Sequence, residues 1–372
     1  MVTRDARNPA AAGGDLQPWE YARYLASVGP QVTYRTSPVP GAPREEVVEG
    51  VRVVRLGGVL SLWWRTFLHY VRHCRRRYDV VVEEGFGGSR IPRLAPLYVR
   101  EPIVTEWHQV HRDLFAAQYP PPLRPLLNLL ERATAYLHRR TLVRAGTPEW
   151  REAFPTIGFP RENIAVVPVS IPEAWLDGAR PAPVAAPRVL WLGKFRRYKC
   201  PHHAVQAMAQ VVRRVPGAQL TLAGRHDDRR YEARLRRLVR ELGLEGSVAF
   251  HFDVPEEEKR ALLEGSRALV LPSSVEGFGL VVLEANARGV PVVASSGVPE
   301  GAVRHEHNGL RYPFGDVDAL AAALVRLLTD DALYARLSAA SAAFAQGFAW
   351  RTVGAQFEAL LLRAAGRGRG AA

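Results

Sequence analysis

Cysteine and methionine are scarce in this chain, two of each among 372 residues. Cys74 and Cys200 lie far apart without metal-ligand spacing. That excludes a disulfide framework and a cysteine-rich metal module, and it fits a reducing compartment. Long apolar runs are also missing: no stretch reaches the ~20 residues that a membrane-spanning helix needs. No secretory leader pattern follows Met1, so a cytoplasmic protein is expected. Acidic residues are the minority, 37 against 50 Lys and Arg, which leaves a net charge of +13. Much of the surplus is arginine on expected helices (Arg75, Arg76, Arg77, then Arg234, Arg236, Arg237, Arg240), the pattern of solvated helix faces. It leaves open weak peripheral contact with an anionic membrane. No nucleic-acid module accompanies the charge, so nucleic acid is not an expected partner.

The rest of the composition, 47% hydrophobic and 23% charged, is that of a globular protein. The length suits two domains. In the second half, short apolar runs at 188–195, 219–223, 248–252, 268–272 and 291–294 alternate with amphipathic stretches at 204–215, 231–242, 256–264 and 280–288. This predicts a parallel sheet covered on both faces, with ligands at the carboxyl ends of its strands. The first half repeats the pattern less regularly, with strands at 31–35, 51–56, 79–83, 102–107, 141–145 and 164–169 and helices at 16–27, 62–76 and 126–140. Met1-Val2-Thr3-Arg4 makes a poor first strand. The Pro/Ala-biased stretch 178–187 reads as a linker. The expected division is a domain over 1–178, a linker over 179–187 and a second domain over 188–344. A helical stretch runs from 319 to about 363, and its end, 345–365, is expected to return to the first domain.

The segment 273–295 carries most of the chemistry. Glu276 and Glu284 stand eight residues apart. Between them Gly277, Phe278 and Gly279 form a turn that opens a helix near Leu280. A strand, a glycine turn and a helix N-terminus make an anion site, because free N–H groups and the positive dipole end face whatever sits above. Two carboxylates flanking that anion could hold hydroxyl groups, so the expected ligand is rich in both phosphate and hydroxyl. Lys194 and Lys199 follow another strand of the same expected sheet and could clamp a diphosphate. By themselves they equally suit two solvated lysines.

Asp316-Val317-Asp318 could pass for a metal-binding acidic pair. It precedes a long Ala/Leu helix, so a helix N-cap is the better reading and no metal site is expected. His108 ends an apolar strand and is read as lining a cleft. His111 is a lesser candidate for acceptor contact, and Glu83 and Glu84 could face an acceptor or cap a helix. Residues 60–77 join Trp63, Trp64, Phe67 and Tyr70 to a basic tail, which suits either a helix packed on the sheet or one lying on a membrane.

These residues resemble the retaining glycosyltransferases of family 4. The resemblance rests on Gly193-Lys194-Phe195 with Lys199, on Glu276-Gly277-Phe278-Gly279-Leu280 through Glu284, on 289–294, and on Asn308-Gly309-Leu310. It covers 188–328 and is thinner in the first half, at Asn8-Pro9 with Gly13-Gly14 and at Glu106-Trp107-His108. It implies an α/β GT-B fold, two Rossmann-like domains with parallel sheets facing across a cleft. It also implies a catalytic set of Glu276, His108 and Lys199. Lys194, Lys199 and the backbone of Gly277, Phe278, Gly279 and Leu280 would hold the donor diphosphate, and Glu284 the ribose. Glu276 would contact the transferred sugar, and Gly13 and Gly14 would form a loop closing over the phosphates. The chain departs from the family pattern at Cys200 (usually glycine), Phe252 (often glycine), Lys194 (usually arginine) and Pro30.

The resulting expectation is a metal-independent, retaining hexosyltransferase. Its donor would be a nucleoside diphosphate sugar, UDP preferred and GDP next, serving as co-substrate with no cofactor. The acceptor, whether small molecule, glycan or lipid-linked, is left undefined. The alternative is a non-catalytic nucleotide-sugar-binding subunit of a glycosyltransferase complex.

Overall fold

In the computed structural model the described residues are 2–3, 13–57, 61–85, 93–177, 184 and 186–369. The chain divides into two compact units, one of Met1–His111, Pro125–Pro172 and Ala349–Ala372, the other of Arg112–Arg124 and Glu173–Phe348. The expected partition differs from this at 112–124, where the helix Arg112–Gln118 packs on the turn Arg197–Lys199 of the second unit, and at 173–177, which also belong to the second unit. Of the expected linker only Val184 and 186–187 are described. Val184 belongs to the second unit, where its N–H donates to the Tyr334 hydroxyl and its carbonyl accepts from Arg267.

The first unit contains β1 (Val2–Thr3), β2 (Thr33–Thr36), β3 (Glu45–Val48), β4 (Val51–Arg55), β5 (Val81–Glu84), β6 (Ile103–Glu106), β7 (Leu142–Ala145) and β8 (Ile164–Val166). They form two four-stranded sheets, β1-β2-β4-β3 and β5-β6-β7-β8, and β1 also lies beside β5. Every pairing is parallel except β3 with β4. Glu45-Glu46-Val47-Val48 escapes apolar-run reading because it is a half-exposed edge strand. The helix Trp350–Arg369 packs on the helix Gly13–Ser27, with Tyr21 stacked on Phe357 at a centroid distance of 4.3 Å. The expected helical stretch consists of three helices, Val317–Thr329, Asp331–Gln346 and Trp350–Arg369. Asp330 breaks the first from the second by accepting from the Leu333 N–H, 2.8 Å.

The second unit is a six-stranded sheet built from β9 (Arg188–Lys194), β10 (Gln219–Arg225), β11 (Val248–Phe252), β12 (Ala268–Leu271), β13 (Val292–Ser295) and β14 (Gly309–Tyr312). Their order is β11-β10-β9-β12-β13-β14, parallel throughout. β12 and β13 are buried along their whole length, as a sheet covered on both faces requires. The strand order reverses direction between β9 and β12. A doubly wound sheet leaves a crevice at that switch point, outside the carboxyl ends of the two strands.

Candidate functional site

Both strands at the switch point end in residues singled out by the sequence. β9 ends at Lys194, which is half-buried, and a 3₁₀ turn, Arg197–Lys199, follows it. β12 runs into Ser273, Ser274 and Glu276. Backbone bonds stitch the two loops together: the Ser274 N–H donates to the Tyr198 carbonyl, 2.8 Å, and the Glu276 N–H to the Gly297 carbonyl, 3.0 Å. Gly297 permits this closeness, since a Cβ there would lie 2.4 Å from the Ser273 and Ser274 carbonyl oxygens. Gly279, at φ +91°, then opens the helix Leu280–Ala287 in a left-handed conformation that a side chain would strain. The first N–H groups of that helix have no intrahelical partner.

The stitching brings Lys199 and Glu276 into contact. Lys199 Nζ donates to Glu276 Oε1 at 2.5 Å, and the Ser273 hydroxyl donates to the same oxygen at 2.6 Å. Both charged groups are largely buried, with side chains 18% and 7% exposed. Burial works to lower the Lys199 pKa, but the attraction of Glu276 and Tyr198 outweighs it and holds the ammonium above the ordinary lysine value. The site therefore keeps the Lys199 ammonium charged beside Glu276, on loops stitched together by backbone hydrogen bonds.

Glu284 has a different partner. Its Oε1 accepts from Lys259 Nζ at 2.8 Å, and Lys259 also reaches Glu256, 2.9 Å. Lys259 lies over the Trp175 ring, as do Arg260 and Arg288, with distances of 4.8, 5.1 and 5.4 Å to the ring centroid. Burial raises the Glu284 carboxyl above the usual range, and Lys259 opposes that shift. Sequence reading missed Lys259 because it sits in Glu256-Glu257-Glu258-Lys259, which looks like a solvated helix face. Only the fold brings it to Glu284. Phe278, within the glycine turn, buries its ring against Phe348, 5.5 Å between centroids.

Phe252 stacks on His226 at 4.1 Å and 8° between planes, and its ring is also faced by Arg236. The aromatic pair closes the carboxyl ends of β10 and β11 where a glycine would leave them open.

The remaining candidates lie in the first unit. Gly13 and Gly14 form the opening turn of the helix Gly13–Ser27, not the expected loop; the flanking Asn8-Pro9 lies outside the described residues. His108 is partly exposed, with Nε2 3.6 Å from Glu84. His111 is buried against Glu131, accepting or donating at Nδ1 over 2.6 Å, and Glu83 holds the fully buried His138 at 2.9 Å. Glu106 is buried 3.9 Å from Arg144, and burial raises its pKa, with Arg144 opposing.

The acidic pair is an N-cap: Asp316 accepts from the Ala319 N–H at 2.9 Å. Among the described residues, Cys200, His202 and His203 bring possible metal-ligand atoms within 4.8 Å of one another. Burial pushes the Cys200 thiol up to about 12, and burial with His203 lowers His202 to about 4. The thiol donates to the Arg197 carbonyl at 3.1 Å, and a metal bound here would have to displace that proton.

The second unit is thus a doubly wound parallel α/β sheet with a buried Lys–Glu pair and a helix N-terminus at its reversal. Residues 179–344 match the family described as Glycosyl transferases group 1, and the chain has a GT-B fold. The chain is 30% identical over 292 residues to D-inositol 3-phosphate glycosyltransferase of Acidothermus cellulolyticus, covering 73% of this chain and 64% of that protein. The chain spans less than two thirds of the length of such curated relatives. In fold it is similar to sucrose-phosphate synthase of Thermosynechococcus elongatus (TM-score 0.78, 23% identity, 97% of this chain and 98% of that one). It is likewise similar to Anabaena HepE, solved in complex with UDP-glucose (TM-score 0.74, 19% identity, 97% and 99%). Among the described residues no helix is long and apolar enough to cross a membrane.

Proposed function

We propose that this protein transfers a hexose from UDP-hexose to an acceptor hydroxyl, with retention at the anomeric carbon and without a metal ion. The observation that carries the reading is the Lys199–Glu276–Ser273 cluster beside a glycine-opened helix N-terminus at the sheet's switch point. Transfer breaks the bond from the sugar C1 to a β-phosphate oxygen and forms one to the acceptor oxygen. Negative charge grows on the leaving diphosphate and positive charge on the ring.

Lys199, Lys194 and the N–H groups of Phe278, Gly279 and Leu280 stabilise the first charge; fixed groups of this kind cost no reorganisation during reaction. The acceptor proton passes to the leaving diphosphate oxygen. Glu276 directs Oε1 to Lys199 and Ser273, which leaves Oε2 to face the sugar hydroxyls and the cationic ring. Glu284, oriented by Lys259, accepts from the ribose hydroxyls. HepE, whose fold this chain shares, was solved with UDP-glucose, which supports UDP as the nucleotide.

The test is incubation of the purified full chain with UDP-glucose, UDP-galactose and GDP-mannose, with release of nucleoside diphosphate followed by chromatography. Slow release from a UDP-sugar that Glu276→Gln abolishes is expected. Tight donor binding without release, even with added acceptors, would establish a non-catalytic subunit instead.

A further inference from the structure

The first unit contains a cavity of about 310 Å³ lined by Arg44, Arg55 and Arg65 together with Gly57 and Ser61. Its volume lies at the lower end of the ~300–1,000 Å³ typical of ligand pockets. The three arginines arrive from different elements. Arg44 precedes β3, Arg55 ends β4, and Arg65 sits in the first turns of the helix Leu62–His73, which Ser61 begins.

Arg55 is built into the wall. Its side chain is 1% exposed, and one guanidinium nitrogen donates to the Pro43 carbonyl at 2.7 Å and contacts Glu46 at 2.6 Å. Arg44 and Arg65 are exposed and reach the same cavity. The neighbouring Glu45 is drawn off by Arg52, 2.5 Å. Three arginines therefore line one small cavity, and Glu46 pairs with the buried one, Arg55. The N-terminus of a helix adds positive potential in the same place. Fork-shaped donors around a small cavity are the arrangement that recognises phosphate bidentately.

The geometry points to an oxyanion site: the first unit holds a phosphomonoester or diphosphate carried by the acceptor. This rests on the sugar-transfer reading for the word acceptor, while the site itself stands on the arginine geometry alone. It narrows the acceptor to a phosphorylated molecule, either a soluble sugar phosphate or a lipid bearing a phosphate headgroup.

The experiment is calorimetric titration of inorganic pyrophosphate into the full chain already saturated with UDP, repeated with Arg44→Ala/Arg65→Ala and with Arg65→Glu. Both substitutions fall on exposed side chains, and unchanged thermal unfolding checks the fold. The expected result is pyrophosphate binding that weakens about tenfold or more in each variant, the loss due when hydrogen bonds to a charged group disappear. Absence of pyrophosphate binding, or equal affinity in wild type and variants, overturns the inference. Cosedimentation with phosphatidylcholine vesicles, with and without phosphatidylglycerol, identifies the source. Phosphatidylglycerol-dependent binding that the variants lose assigns the phosphate to a lipid, and indifference to vesicles alongside pyrophosphate binding assigns it to a soluble molecule. UDP release from UDP-glucose by the same wild-type preparation separates the two readings. Turnover without pyrophosphate binding sinks only this site, and pyrophosphate binding without turnover sinks only the sugar-transfer reading.

Discussion

Lys199 and Glu276 stand 77 residues apart in sequence and 2.5 Å apart in the fold. The contact joins the loops after β9 and β12, the strands between which the sheet reverses. Glu276 helps hold the Lys199 ammonium above its ordinary value against the effect of burial. Glu276 pairs with Lys199, and on the proposed reading a diphosphate would share that cation with it.

Removing one partner should be worse than removing both. Lys199→Met leaves Glu276 buried without its cation, a loss of about 3–5 kcal/mol for a buried pair. Lys199→Met/Glu276→Gln should recover part of that. Urea unfolding of the two singles and the double measures the coupling, and additive losses would mean the pair does not act as one. Turnover of UDP-sugar in Lys199→Met should fall about 10²–10³-fold.

Glu284 gives a pH dependence whose sign is fixed. On the proposed reading Glu284 accepts from ribose hydroxyls, which a charged carboxylate does more strongly than a neutral carboxyl, and burial raises this carboxyl above its ordinary range. UDP affinity should therefore decline as pH falls through that raised value, before ordinary carboxylates titrate. Lys259 pulls the pKa down, so Lys259→Met should move the decline to higher pH, and Glu284→Gln should remove the dependence on this group. Calorimetry across a pH series reads both shifts.

Gly297→Ala places a methyl 2.4 Å from two carbonyl oxygens of the loop that carries Glu276. The loop has to give way. A cost of about 1–3 kcal/mol is expected in urea unfolding, together with loss of turnover. A variant with wild-type stability would show that the loops are less tightly apposed than described.

Turnover should be indifferent to EDTA on the proposed mechanism, in which ammonium groups and backbone N–H would meet the charge on the leaving group. Loss of activity in chelator, restored by a divalent ion, would return attention to Cys200, His202 and His203.

Much of this architecture is legible in the sequence because it is local. Continuous apolar runs gave β9 to β13, and the glycine turn with paired glutamates announced the loop after β12. What stayed hidden depends on distant contacts or on exposed edges. β3 alternates at an edge and carries two glutamates, so it has no apolar signature. Lys259 looks solvated until Glu284 and Trp175 are folded against it. Gly13 and Gly14 suggest a loop, but Gln17, four residues on, exchanges hydrogen bonds with the backbone of Ser170 and anchors the helix they open. The break at Asp330 looks like one more acidic residue until its side chain caps the following helix.

The most direct measurement is calorimetric titration of UDP into wild type, Lys199→Met and Glu284→Ala, each shown to be folded. Nanomolar-to-micromolar binding by wild type, weakened at least about tenfold in each variant, is the predicted result. Equal binding by all three proteins, or none by wild type, would contradict the placement of the nucleotide at the sheet's switch point.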